Sequence, residues 1–151
     1  MRALVLLFLV FSVESAPAEE KCPYGWTPFS VHCYKFFPQS VNWITAEKNC
    51  QSIDANLASV RSTVQNNFLL SLIVPANTRA WIGGHDGEMD GQWLWSDGSQ
   101  FDLTNFCTGE PNNYGGPESC LEINFPTNHC WNDESCTTTT MGYICAKPLK
   151  S

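Results

Sequence analysis

Ala80-Trp81-Ile82-Gly83-Gly84-His85-Asp86-Gly87-Glu88-Met89-Asp90-Gly91-Gln92-Trp93-Leu94-Trp95-Ser96-Asp97-Gly98 admits two readings, and the choice between them sets the fold class. Asp86 and Asp97 lie eleven residues apart with a glycine at the sixth position of the span, the outline of an EF-hand loop. The third position is Glu88 rather than Asp or Asn, and the twelfth is Asp97 rather than a bidentate glutamate. The flanks decide the matter. Trp81-Ile82-Gly83-Gly84 and Trp93-Leu94-Trp95 have the character of strands, whereas an EF-hand needs helices on both sides. The segment is therefore expected to form two short strands joined by a solvated, acidic hairpin turn.

Upstream of it, Cys22 to Phe37 alternates Pro and Gly punctuation with β-branched and aromatic residues, which predicts a short hairpin closed by Cys22–Cys33. Ser40 is a candidate cap for a helix whose Trp43, Ala46 and Cys50 share one face. A second helix is expected from Ser62, which stands three residues before Gln65 at capping-box spacing. Val64, Phe68 and Leu72 then recur every four residues until Pro75 ends the pattern. Beyond Pro75, short apolar pieces at 80–82, 92–95, 121–125 and 142–145 are separated by stretches of Gly, Asn, Asp and Pro. The run Thr137–Thr140 reads as β-branched residues leading into the last of these strands. Two helices followed by several short strands make an α+β domain. The intervening loops are long for plain connectors, and loops of that length in a compact domain usually carry function.

The chain has 151 residues, enough for about one domain, with 8 Lys+Arg against 15 Asp+Glu for a formal net charge of −7. That balance argues against a nucleic-acid partner, which normally requires a basic face. At the N-terminus Arg2 precedes the apolar run Ala3–Phe11, and small residues follow at Ser12, Ser15, Ala16 and Ala18. This is the anatomy of a secretory signal peptide over residues 1–18, cleaved after Ser15 or Ala18, with the domain occupying 19–151. The apolar run is about half the roughly 20 residues a membrane span requires, so no membrane insertion is expected. All eight cysteines follow the signal, and an even number in an exported chain implies four disulfides whose pairing spacing alone leaves open. A zinc site from Cys130, Cys136 and His129 is the weaker alternative, because free thiolates rarely persist outside the cell. No Asn-x-Ser/Thr sequon is present, so N-glycosylation is not expected.

A second concentration of oxygen donors lies in Glu110-Pro111-Asn112-Asn113-Tyr114-Gly115-Gly116-Pro117-Glu118 and in Trp131-Asn132-Asp133. Glu110, Glu118 and Asp133 offer carboxylates, and Asn112 and Asn132 offer amide oxygens. Such a set suits Ca2+, which takes about 6–8 oxygen ligands in irregular geometry, better than Mg2+, which holds its waters. The ordinary alternative is a hydrated turn, since Asn, Gly and Pro are common loop residues.

Taken with Asn56-Leu57-Ala58-Ser59, Trp93-Leu94-Trp95-Ser96-Asp97-Gly98, Glu134-Ser135-Cys136 and Gly142-Tyr143-Ile144-Cys145, these motifs resemble a C-type lectin domain along nearly the whole mature chain. The short form and the extra cysteines are similar to the fish-type lectins of that family and to the related type II antifreeze proteins. The resemblance implies a double-loop fold with pairs Cys22–Cys33, Cys50–Cys145 and Cys120–Cys136, leaving Cys107 to pair with Cys130. It implies one principal Ca2+ site formed by Glu110, Asn112, Glu118, Asn132 and Asp133, which also bind the sugar. Pro111 is expected to follow a cis peptide. The Glu110-Pro111-Asn112 order implies mannose, fucose or N-acetylglucosamine. Tyr114, where galactose binders place an aromatic platform, is a candidate to stack on a sugar face. An auxiliary calcium site would use Asp86, Asp90, Asn113 and Ser119, and the last two lack the carboxylates that would make it strong.

The function this implies is a secreted, Ca2+-dependent lectin of mannose type, recognising glycans on microbes or cells in innate defence. Shallow single sites bind weakly, so a homo-oligomer formed through folded surfaces would supply avidity. The alternatives are an ice-binding type II antifreeze protein on the same fold, a galactose-binding or venom-type lectin, and a toxin or proteinase-inhibitor-like binder. An enzyme is not expected, since His32, His85 and His129 are scattered and no Gly-x-Ser-x-Gly motif is present.

Overall fold

A computed structural model describes residues 21–87, 91–111, 119–125 and 129–150. In chain order these form β1 (Thr27–Phe29), β2 (His32–Val41), α1 (Trp43–Gln51), β3 (Asn56–Leu57), α2 (Thr63–Leu72), β4 (Ala80–His85), β5 (Leu94–Trp95), β6 (Ser119–Phe125), β7 (Cys130–Ser135) and β8 (Met141–Pro148). The fold is α+β, with two helices on a mainly antiparallel sheet ordered β1-β2-β8-β4-β6-β7. β8 lies antiparallel to β2 and parallel to β4, so the C-terminal strand joins the N-terminal hairpin to the rest of the sheet. The signal peptide expected at residues 1–18 lies outside the described residues, and no described helix is long and apolar enough to cross a membrane.

Strand alternation divides the core. Ala80 and Ile82 of β4, Leu121 and Ile123 of β6, and Ile144 of β8 enter one buried cluster with Leu69 of α2, Trp95 and Trp131. Trp81, Cys120, Tyr143 and Cys145, one position along the same strands, enter the other cluster with Trp43, Ala46 and Cys50 of α1. Period-two side-chain direction thus sends each strand's residues to opposite helices. Gly83 and Gly84 are required by close packing. A methyl at Gly83 would lie 2.8 Å from the Leu57 carbonyl oxygen, and one at Gly84 would collide with Leu121.

The helix starts show where local signals held. Ser62 caps α2 and accepts from the Gln65 backbone N–H. The α1 cap is Asn42, accepting from Thr45 N–H at 2.8 Å, rather than Ser40, because β2 continues through Val41 and holds Ser40 extended. On α2, Phe68 and Leu72 of the expected stripe pack against the core, and Val64 alone departs from it. Val64 is 67% exposed, while Gln65, Asn66 and Leu69 are buried. The two polar residues are tolerated inside because each is hydrogen-bonded. Gln65 donates to the Tyr34 hydroxyl at 2.7 Å, and Asn66 accepts from the Trp131 indole at 2.9 Å.

Four disulfides close Cys22–Cys33, Cys50–Cys145, Cys107–Cys130 and Cys120–Cys136, the pairing implied by the resemblance. No described cysteine is free, so the zinc alternative has no thiolate from Cys130 or Cys136.

Candidate functional site

The site is organised by the β6–β7 hairpin and the chain that runs beside it. β7 ends the sheet order, and its outer edge is met by the segment Asn105–Cys107. Trp131 N–H donates to the Asn105 carbonyl at 2.9 Å, and Cys107 N–H donates to the Trp131 carbonyl at 2.9 Å. This Phe106–Trp131 bridge is parallel, so the residues after Phe106 advance in the direction of Asn132 and Asp133. The disulfide Cys107–Cys130 fixes the register, and Trp93 and Phe106 pack with Trp131 and its neighbours beneath it. A turn then closes from Cys107 to Glu110, whose N–H donates to the Cys107 carbonyl at 2.9 Å. Gly109 occupies its third position with φ of 88°, a value that favours glycine. The Glu110–Pro111 peptide is cis, as the resemblance implied.

Within the hairpin, Asn132 is directly opposite Glu122 and Asp133 directly opposite Leu121. Adjacent strand residues point to opposite faces, so Asn132 shares a face with Glu122 and Glu134, and Asp133 does not. Asp133 is 2% exposed and Asn132 is also buried. Glu122, absent from the sequence-based set, has no exposed surface. Its Oε2 accepts from Asn132 Nδ2 at 2.7 Å and from Arg79 Nη1 at 3.1 Å. Its Oε1 has no hydrogen-bond partner among the described residues. Burial pushes the Glu122 carboxyl up from 4.5 to about 7, against the lowering effects of the Asn132 amide and the Arg79 guanidinium. The Arg79 guanidinium also sits over the Phe125 ring, 5.6 Å from its centroid.

Of the expected ligands, Glu110, Asn132 and Asp133 are described and belong to the two segments joined by the Phe106–Trp131 bridge. Asn112, Glu118 and Tyr114 lie outside the described residues, as do Asp90 and Asn113 of the auxiliary set. The two described auxiliary residues engage each other. Asp86, expected in a solvated turn, is 1% exposed, with Oδ1 accepting from Ser119 N–H at 2.9 Å and Oδ2 from Gly91 N–H at 3.1 Å. Asp86 is buried because a carboxylate at the end of β4 satisfies the backbone where β6 begins.

Glu47 is a second carboxylate that periodicity overlooked. It follows Trp43 by four residues, so it shares the buried face of α1. Its Oε1 accepts from Leu57 N–H at 3.0 Å and Ser96 Oγ at 2.9 Å, and its Oε2 from Gln51 at 2.7 Å and Asn56 at 2.6 Å. An acid at i+4 from a core tryptophan was the available signal.

The described donors at the β7 edge are carboxylate and amide oxygens, the hard ligands Ca2+ prefers. Among the described residues no three His, Cys, Asp or Glu side chains converge at metal-binding spacing, and Asn112 and Glu118 are outside that set. The Asn132 amide has its NH2 on Glu122, which leaves its carbonyl oxygen as the atom able to accept a cation.

Comparison with known proteins agrees with this architecture. The lectin C-type domain family matches residues 39–147. Ladderlectin of Oncorhynchus mykiss is 42% identical over 82% of this chain and 67% of its own length. The galactose-specific lectin nattectin of Thalassophryne nattereri is 37% identical over 87% of this chain and 84% of its own. The solved structure of herring type II antifreeze protein superposes with a TM-score of 0.81 at 35% identity, covering 85% of this chain and all of that one. With the sheet order, the four disulfides and the family match in agreement, the chain belongs to the C-type lectin domain family.

Proposed function

We propose that the chain is a secreted, Ca2+-dependent carbohydrate-binding protein of mannose type, exported by the signal peptide at 1–18 and acting without catalysis. The observation that carries this reading is the parallel bridge of Phe106 to Trp131, which runs the chain into Glu110 along the edge that bears Asn132 and Asp133. Glu110, Asn132 and Asp133, with Asn112 and Glu118, would hold one Ca2+. The ion would supply a charged centre able to take two neighbouring sugar hydroxyls. The chain's own groups do the discriminating. Carboxylates accept from those hydroxyls and an amide N–H donates to them, so a sugar is recognised by the order of acceptors and donors around it.

The Glu110-Pro111-Asn112 order supports mannose, fucose or N-acetylglucosamine as ligands, displayed on microbial or cell surfaces, although the relative nattectin is described as galactose-specific. Avidity through a homo-oligomer would compensate for a shallow site. Retention of the purified chain on mannose resin is expected to require Ca2+ and to be lost in Glu110→Ala. Retention of that variant equal to wild type contradicts the assignment.

A second reading, ice binding, is favoured by the likeness to herring type II antifreeze protein. Thermal hysteresis with and without Ca2+ separates the two, since the lectin reading expects none.

A further inference from the structure

We propose that Glu122, held by Arg79, is a positioning residue for the calcium site: it anchors the NH2 of Asn132 and so turns the Asn132 amide oxygen toward the cation. This role rests on the calcium reading above. An amide is nearly symmetric in shape, and without a partner that distinguishes oxygen from nitrogen it could present either atom. Glu122 makes the distinction. Its Oε2 also accepts from Arg79 Nη1 at 3.1 Å, so this oxygen is an acceptor and only the amide N–H can face it at 2.7 Å. Turning the amide over would press two acceptor oxygens together in a buried place, leaving a desolvated group unpaired.

The backbone enforces the pairing. Glu122 and Asn132 are register partners across β6 and β7, so their side chains emerge side by side on one face. Glu122 has no exposed surface and Asn132 is buried, which shields the bond from water. The other amide N–H lies 3.5 Å from Glu134 Oε2, at the limit of a hydrogen bond. It is therefore the hydrogen that a sugar hydroxyl could take without disturbing the anchor. One amide can thus serve metal and sugar together, provided that Glu122 keeps its first N–H.

Outer-shell partners of this kind change metal affinity about 10–100-fold when removed. Two measurements test the role. The side-chain amide resonances of Asn132, recorded in metal-free wild type, are expected to show slow hydrogen exchange and a shift from free-amide values. Ca2+ titration by calorimetry is expected to show at least a tenfold loss of affinity in Glu122→Leu and a smaller loss in Glu122→Gln, which keeps an acceptor oxygen. Free-amide behaviour of Asn132 in the wild type overturns the proposal without any variant. Wild-type Ca2+ affinity in a folded Glu122→Leu also overturns it. A wild type with an anchored amide that takes up no Ca2+ overturns the calcium reading, and the positioning role falls with it. That result is distinct from one in which the wild type binds Ca2+ and the variants bind it equally.

Discussion

Replacing Glu47 by alanine should destabilise the domain more than most single changes, because this carboxylate joins three parts of the fold. It is 8% exposed and takes four hydrogen bonds from α1, β3 and the stretch after β5. Gln51 and Asn56 can turn their amides to water when Glu47 is removed, so their loss costs little. The Leu57 N–H is buried and fixed in the backbone, and Ser96 Oγ faces the same space. Leaving two such donors unmet costs about 1–3 kcal/mol each. The absence of a carboxylate to desolvate returns part of that, for a net loss of about 3 kcal/mol. Glu47→Gln keeps one acceptor oxygen for Leu57 and Ser96, and should cost about 1 kcal/mol. Urea unfolding followed by tryptophan fluorescence, with the disulfides intact, measures both from the midpoint at unchanged slope. An alanine variant within about 0.5 kcal/mol of wild type would show that the four bonds are not what joins the helix to the sheet.

Opening the Cys107–Cys130 bridge in a double serine variant should cost ~3 kcal/mol, from the loop entropy of its 23-residue separation. The same variant should lose Ca2+ affinity, since that bridge fixes the register of the Glu110 segment on β7; calorimetry showing wild-type affinity would count against it. Glu122 gives a pH dependence in EDTA. Its carboxyl is raised from 4.5 to about 7, so its contribution to stability is fully present below the unfolded value and lost as pH rises through about 7. Relative to Glu122→Gln, the wild type should therefore lose up to about 3 kcal/mol between roughly pH 5 and pH 8. A constant difference between the two across that range contradicts the burial argument. Glycan binding should in turn fail on acidification, as protons compete with Ca2+ for Glu110, Glu118 and Asp133; undiminished binding at about pH 4 contradicts that ligand set.

Much of the fold could be read where local chemistry and tertiary structure agree. Ser62 and Gln65 start α2 as their spacing implies, and Trp43, Ala46 and Cys50 form the buried face of α1. The misses share one cause, which is that pairing partners distant in sequence decide a residue's environment. Cys130–Ser135 is polar and carries no β-branched residue, yet β6 on one side makes it a strand. Ser40 is a good cap in isolation, but β8 keeps the chain extended as far as Val41. Asp86, Glu47 and Glu122 look like surface acids in sequence because nothing local announces the backbone amides, hydroxyl and guanidinium that meet them inside. For the site itself, the donor types were visible in Glu110, Asn132 and Asp133. The bridge that relates them, and the Glu122 contact that orients Asn132, exist only in the folded chain.

The proposed glycan binding depends on Ca2+ held at the edge that carries Glu110, Asn132 and Asp133. A glycan array probed in Ca2+ and again in EDTA tests it most directly. Binding to mannose-, fucose- or N-acetylglucosamine-terminated glycans is expected in Ca2+ and should be abolished by EDTA. Binding that survives EDTA unchanged, or no glycan binding in saturating Ca2+, would contradict it.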